Sequence, residues 1–193
     1  MKNMRKRICR NPLRWLLFVA LWGLTAGDLC AQEPVLVKAA GELMEKAEPV
    51  WVGGREGEMN LTLGFRGVFK GDETKSYRLK ITASTLYRLF LNGEFVGYGP
   101  ARAAHGWFRV DEYDLGQRVT EGENVVAIEV AGYNVNSYYT IDQPSFLQAE
   151  VTANGGVLLA TGAEGGFEAF EVKERLQKCE RYSFQRPFTE YYR

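Results

Sequence analysis

Cysteine, histidine and proline are scarce in this 193-residue chain, which holds 3, 1 and 6 of them. Metal-ligand spacings are missing: there is no C-x-x-C, no H-E-x-x-H and no calcium loop of the D-x-D-x-D-G kind. The single histidine, His105, would have to serve any Ser-His-Asp triad, and no G-x-S-x-G elbow supplies the serine. Gly97-Tyr-Gly-Pro-Ala-Arg102 starts like a dinucleotide fingerprint and then fails, because Arg102 stands at the third glycine, Pro100 intervenes and no helix follows. No apolar run reaches the ~20 residues that a membrane-spanning helix needs. No catalytic, metal-binding or cofactor-binding residues are therefore expected. Internal repeats and low-complexity stretches are absent too, and 46 % apolar with 25 % charged residues is ordinary for a globular domain.

The formal charge of zero conceals an asymmetry. Residues 1–31 carry six basic side chains (Lys2, Arg5, Lys6, Arg7, Arg10, Arg14) and one acid, Asp28, around the apolar run from Trp15 to Ala26. A basic stretch, a short apolar stretch and a small-residue site make the layout of a secretory signal, with cleavage expected after Ala31. Lipidation at Cys30 is the rival, with bulky Leu29 a poor fit just before it. Removal of residues 1–31 leaves 18 Lys+Arg against 23 Asp+Glu, a charge of −5. A mildly acidic chain without a basic stripe is a poor partner for nucleic acid. The expected location is periplasmic or extracellular. Cys179 alone survives cleavage, so no internal disulfide can form and the core must hold the fold. Cys179 itself reads as a small, partly buried hydrophobe.

Residues 32–49 space Val35, Leu36, Ala39, Ala40, Leu43, Met44 and Ala47 near three and four, which predicts a short amphipathic helix or a loosely ordered lead-in. From Val50 the pattern turns to β. Trp51-Val52 reads as an opening strand, and Leu61 to Phe69 as the next. Tyr77, Leu79 and Ile81 alternate with Arg78, Lys80 and Thr82, the period of a half-buried strand. Leu86 to Asn92 alternates likewise, and Asn92-Gly93 tolerates the positive φ of a two-residue hairpin, with Glu94 to Tyr98 returning. Gly97, Gly99 and Pro100 are expected to end that hairpin. Asn124 to Val130 has so little polar interruption that it belongs in the middle of a sheet. A second hairpin turns at Asn154-Gly155-Gly156. Eight or nine short strands with little helix predict an all-β jelly-roll sandwich over residues 50–174.

Residues 175–193 crowd Tyr182, Phe184, Phe188, Tyr191 and Tyr192 around Pro187. They are either a final strand or an aromatic-rich linker meant for a neighbouring domain. Asp111, Glu112 and Asp114 could supply the paired carboxylates of glycoside hydrolysis, but three acids in four residues read better as a solvated face. The Asn60-Leu61-Thr62 acceptor pattern is too short to carry weight. What stands out is a set of loop rings and amides: Arg102, Trp107, Tyr133, Asn134, Asn136 and Tyr138, with Tyr139 and Gln143 beside them. Sugars offer apolar C–H faces and a hydroxyl rim, which flat rings and amide or guanidinium groups match. The alternative is that these rings cap the open end of the sandwich.

Tyr87-Arg-Leu-Phe-Leu-Asn-Gly-Glu-Phe-Val-Gly-Tyr-Gly-Pro-Ala-Arg102, followed by Asp111-Glu-Tyr-Asp-Leu115 and Glu121-Gly-Glu-Asn-Val-Val-Ala127, resembles the N-terminal β-sandwich module of bacterial α-L-rhamnosidases. More loosely, it is similar to the galactose-binding-like jelly roll of many β-galactosidases. The likeness covers Val50 to Thr152. It implies a secreted accessory module whose partner is a catalytic glycosidase domain, a later (α/α)₆ barrel that this chain does not reach, with polysaccharide as a further partner. Two other readings stay open: a fragment of a complete α-L-rhamnosidase, and a structural domain with no ligand.

Overall fold

The computed structural model describes residues 43–104, 107–164 and 166–193. The signal-like segment, Cys30 and His105 lie outside them. Alternation at period two produces nine strands: β1 (Leu61–Gly71), β2 (Tyr77–Ala83), β3 (Leu86–Leu91), β4 (Glu94–Gly99), β5 (Asp111–Asp114), β6 (Gly122–Gly132), β7 (Leu147–Ala153), β8 (Gly156–Ala160) and β9 (Glu168–Glu171). They form a five-stranded sheet ordered β4-β3-β6-β1-β9 and a four-stranded sheet ordered β5-β2-β7-β8. Every neighbouring pair is antiparallel. The predicted all-β sandwich is the observed one, and β6 lies at the centre of the larger sheet, as its apolar run requires.

The core sits between the sheets. Leu63, Phe65, Tyr87, Leu89, Val126, Ile128 and Val130 face it from the larger sheet, and Tyr77, Leu79, Ile81, Ala149 and Val151 from the smaller. Each buried aliphatic side chain there contributes about 1.5–3 kcal/mol relative to exposure.

Both predicted hairpins turn as expected. Asn92 and Gly93 have φ of 52° and 84°, and Asn154 and Gly155 have 47° and 85°. Asn92 does more than tolerate the turn. Its Oδ1 accepts from the Val125 amide at 2.9 Å and its Nδ2 donates to Asn124 Oδ1 at 2.8 Å, tying the hairpin tip to β6.

Two expectations need correction. Trp51-Val52 is not a strand: only Val50 bridges to Leu147, and the Trp51 indole lies against Phe65 with centroids 6.0 Å apart. The turn at Gly54, φ 78°, follows immediately and cuts the segment short. Gly97 and Gly99 do not end the organising hairpin; β4 runs through both. They are glycines because of what lies above them. A Cβ at Gly97 would stand 2.6 Å from Tyr113 Cε1, and one at Gly99 would overlap Asp111 Oδ2 and stand 2.7 Å from Tyr87 Oη. Of the lead-in expected over residues 32–49, residues 32–42 lie outside the described residues, and residues 44–49 run as irregular chain. The amides of Lys46 and Ala47 that a helix would use are drawn to Glu150 Oε2, at 2.6 and 3.3 Å.

That segment covers the outer face of β7. Gln148 Nε2 donates to the Ala47 carbonyl at 2.8 Å, so Gln148 and Glu150 are buried although they occupy outward positions. Strand β9, unmarked in the sequence, pairs with β1 over Leu63 to Arg66; a Cβ at Gly64 would meet the Phe170 ring, and one at Gly67 the ring of Phe167 just before β9.

Residues 175–193 contain no strand. They fold back on themselves through a bridge between Arg175 and Tyr192, with the Leu176 amide donating to the Tyr191 carbonyl at 2.9 Å. Buried Arg175 pins the loop: its guanidinium lies 3.3 Å from Glu190, 3.7 Å from Glu129, and over the Tyr133 ring at 5.8 Å. Asn60 Nδ2 donates to the Gln177 carbonyl at 2.9 Å and to Cys179 Sγ at 3.2 Å, so the Asn60 side chain of the acceptor pattern is buried. Cys179 is half-buried.

A further tie carries a pH dependence. Arg55 grips Glu58 with two hydrogen bonds, at 2.7 and 2.8 Å, and Gln177 Nε2 adds a third at 3.0 Å. The Arg55 hydrogen bonds, with help from Gln177, bring the Glu58 carboxyl down from 4.5 to about 2. A carboxyl lowered by folding adds stability that is fully present above its unfolded value and is lost as pH falls toward its folded one. The melting temperature of Glu58→Gln should therefore lie below that of the parent at pH 6, and the gap should close as pH drops from 4.5 to about 2. A gap of the same size at both ends of that range would contradict the assignment.

Candidate functional site

Three loops meet at one end of the sandwich: the segment after β4, the segment from Tyr133 to Gln143, and the tail around Pro187. Together they line an open cavity of about 900 Å³. That is the size of a small-ligand site, at the upper end of the usual ~300–1,000 Å³.

The chain leaves β4 at Pro100 and places Arg102 and Trp107 on the cavity wall. The Trp107 amide donates to the Ala104 carbonyl at 2.9 Å, and Trp107 is left 54 % exposed. Behind it, Phe108 packs edge-on to Phe146 with centroids 4.8 Å apart, which anchors the loop. Arg102 crosses to the second loop, donating from Nη1 to the Tyr138 carbonyl at 3.0 Å and lying 5.2 Å from the Tyr139 ring centre.

The second loop is held by its own polar groups. Ser137 Oγ and Thr140 Oγ1 are 2.8 Å apart, and Thr140 Oγ1 donates to the Val135 carbonyl at 2.7 Å. These bonds turn Tyr138 and Tyr139 outward, 65 % and 60 % exposed. Gln143 Nε2 donates to the Ser84 carbonyl at 2.7 Å and so joins the loop to the β2–β3 connection.

Of the six residues singled out in sequence, Arg102, Trp107, Tyr133 and Tyr138 line the cavity. Tyr133 is nevertheless buried, between Arg175 and Phe188. Asn134 and Asn136 are not on the wall. Asn134 adopts φ 45° and donates to the Glu56 carbonyl at 3.4 Å, while Asn136 Oδ1 accepts from the Asp142 amide at 3.0 Å; both shape the loop.

Sequence reasoning missed Arg109 and the tail residues Arg186 and Phe188. Proline inside an aromatic run was the available signal for the tail, but the other two loops of the cavity lie over forty residues away from it in the chain.

Near the cavity mouth, the acidic segment does structural work. The Tyr87 hydroxyl donates to Asp111 Oδ2 at 2.6 Å and lies 3.0 Å from the Tyr113 hydroxyl, while Arg109 Nε donates to Asp111 Oδ1 at 3.1 Å. Burial first, and the Asp111 carboxylate second, push the Tyr87 phenol well above its ordinary range, so it stays a neutral donor. Glu112 pairs with Arg78 on the outer surface. Among the described residues no three His, Cys, Asp or Glu side chains gather as a metal site would need, and no helix is long and apolar enough to cross a membrane.

Two antiparallel sheets with a ligand-sized cavity framed by loops at one end define an all-β sandwich module. No protein-family model matches the sequence, and no curated protein matches it. Among solved structures it is similar to a GH78 family rhamnosidase of Bacillus sp. GL1, at 31 % identity and a TM-score of 0.69 over 75 % of this chain and 15 % of that one. An α-L-rhamnosidase from Aspergillus terreus shares the fold, at 19 % identity and a TM-score of 0.52 over 81 % of this chain and 19 % of that one. The chain is thus a rhamnosidase-like β-sandwich module, and it spans less than a fifth of the length of either enzyme.

Proposed function

We propose that this chain is an exported accessory module of an α-L-rhamnosidase-like glycoside hydrolase, which packs against a catalytic domain and holds carbohydrate in the end cavity. The observation that carries the binding role is the exposure of Trp107, Tyr138 and Tyr139 around a cavity of about 900 Å³. In a domain with a well-filled core, three large rings facing a concave surface are placed for the C–H faces of a sugar. Arg102, already oriented by Tyr138 and Tyr139, supplies donors for the hydroxyl rim. The likeness to the Bacillus enzyme supports the association with a rhamnosidase.

One ring beneath one sugar gives only about 1–2 kcal/mol at ~25 cal/mol per Å² of apolar area. Association costs more than that, so the site binds weakly alone and matters when tethered beside a catalytic site. Tyr182, Phe184, Tyr191 and Tyr192, all more than half exposed, support the tail as the surface that meets the catalytic domain.

In affinity electrophoresis through rhamnose-containing polysaccharide, the purified chain should be retarded, and Trp107→Ala should lose about tenfold in affinity. Migration unchanged on every polysaccharide would sink the binding role. Export is tested separately by the mass of the secreted product, expected to begin at Gln32.

A further inference from the structure

The cavity carries a charge pattern that a neutral sugar does not call for. Among the described residues its wall includes three arginines, Arg102, Arg109 and Arg186, and no aspartate or glutamate. Arg109 is matched by Asp111 at 3.1 Å. Neither Arg102 nor Arg186 has a carboxylate partner among the described residues; each lies against a ring instead, Tyr139 at 5.2 Å and Tyr182 at 5.9 Å. The pattern is local, since residues 32–193 as a whole hold more acids than bases, 23 against 18. Elsewhere in the domain Arg55 pairs with Glu58, Arg78 with Glu112 and Arg88 with Glu129, whereas Arg66, Arg118 and Arg181 have no carboxylate partner among the described residues.

Resting on the carbohydrate reading, we infer that the cavity takes an acidic saccharide, a uronate whose carboxylate is bound by Arg102 and Arg186 while its ring lies on Trp107 or Tyr138. The guanidinium fork matches a carboxylate with two parallel hydrogen bonds and is weakly hydrated, so it gives up little to bind one. Lying over a tyrosine ring leaves open those guanidinium donors that Arg102 does not spend on the Tyr138 carbonyl. An incoming carboxylate is attracted by both cations of the ring-lined wall. A neutral sugar can use the rings but not this term.

The test uses two probes that differ in charge alone: a rhamnosyl-hexuronate disaccharide, and the same disaccharide with its carboxyl reduced to the alcohol. Titrated calorimetrically into the purified chain at low salt, the acid should bind at least about tenfold tighter than the alcohol. The gap should shrink to about twofold in 0.5 M NaCl, as expected for charges near a surface. Arg186→Gln should narrow it at low salt while leaving affinity for the alcohol within about twofold, Arg102→Gln should narrow it while also weakening the alcohol, and Trp107→Ala should weaken both probes alike. Equal affinity for acid and alcohol would overturn the anionic preference and leave the carbohydrate site standing. Binding of neither would overturn both. Displacement of the acid probe by an equally charged acidic peptide at the same concentration would show a general anion site and overturn the saccharide assignment.

Discussion

Gly99→Ala should destabilise the domain by about 2–5 kcal/mol, the sum of an overpacking cost and a broken buried hydrogen bond. The added methyl meets Asp111 Oδ2 and stands 2.7 Å from Tyr87 Oη and 2.9 Å from Tyr87 Cζ. Neither neighbour can step aside freely. Tyr87 is fully buried in the inter-sheet core, and Asp111 is held between Arg109 and the Tyr87 hydroxyl. If Asp111 moves, a buried phenol loses the acceptor it donates to. The cost should be strongly non-additive with Tyr87→Phe, because that change removes one of the atoms the methyl strikes. Urea unfolding of both single variants and the double variant measures the coupling. A Gly99→Ala variant within about 0.5 kcal/mol of the parent would show that the close contacts described for β4 relax at no cost.

The second large effect is expected in the core. Leu89 is fully buried in β3, opposite Ile128 on β6 and Gly97 on β4. Truncation to alanine removes three methylene-sized groups and leaves a void that paired sheets cannot close without breaking register, so the loss should be about 2–5 kcal/mol. At roughly 2–4 °C per kcal/mol for a domain of this size, the melting temperature should fall by about 5–15 °C. Leu158, nearly half exposed on β8, is the matched control, and its truncation should stay within about 0.5 kcal/mol. Equal effects at Leu89 and Leu158 would mean that the two faces of these sheets are not distinguished by burial.

The frame of the fold was legible because it depends on neighbours in the chain. A hairpin at Asn92-Gly93 needs only two residues tolerant of positive φ between alternating strands, and both are observed. β6 could be placed at the middle of a sheet because a strand flanked on both sides has little use for polar side chains, and its neighbours are β3 and β1. The site was legible in part. Trp107 and Tyr138 could be picked out as rings in polar loops, and Arg102 as a cation just beyond a strand. Asn134 and Asn136 were chosen by residue type, and type does not reveal that one amide is spent on the distant Glu56 carbonyl and the other on its own loop.

Local pattern alone determined that this is an all-β chain with an apolar centre and two asparagine-glycine corners, because alternation and turn chemistry act over a few residues. Tertiary structure decided which positions close over one another. Gly97 and Gly99 are required by the Tyr113 and Tyr87 rings and the Asp111 carboxylate, Gln148 and Glu150 are dry because residues 44–49 lie on them, and Arg186 reaches the cavity of Arg102 because buried Arg175 folds the tail back. Those are contacts between residues far apart in sequence. Their energy depends on distances that only the closed sandwich sets.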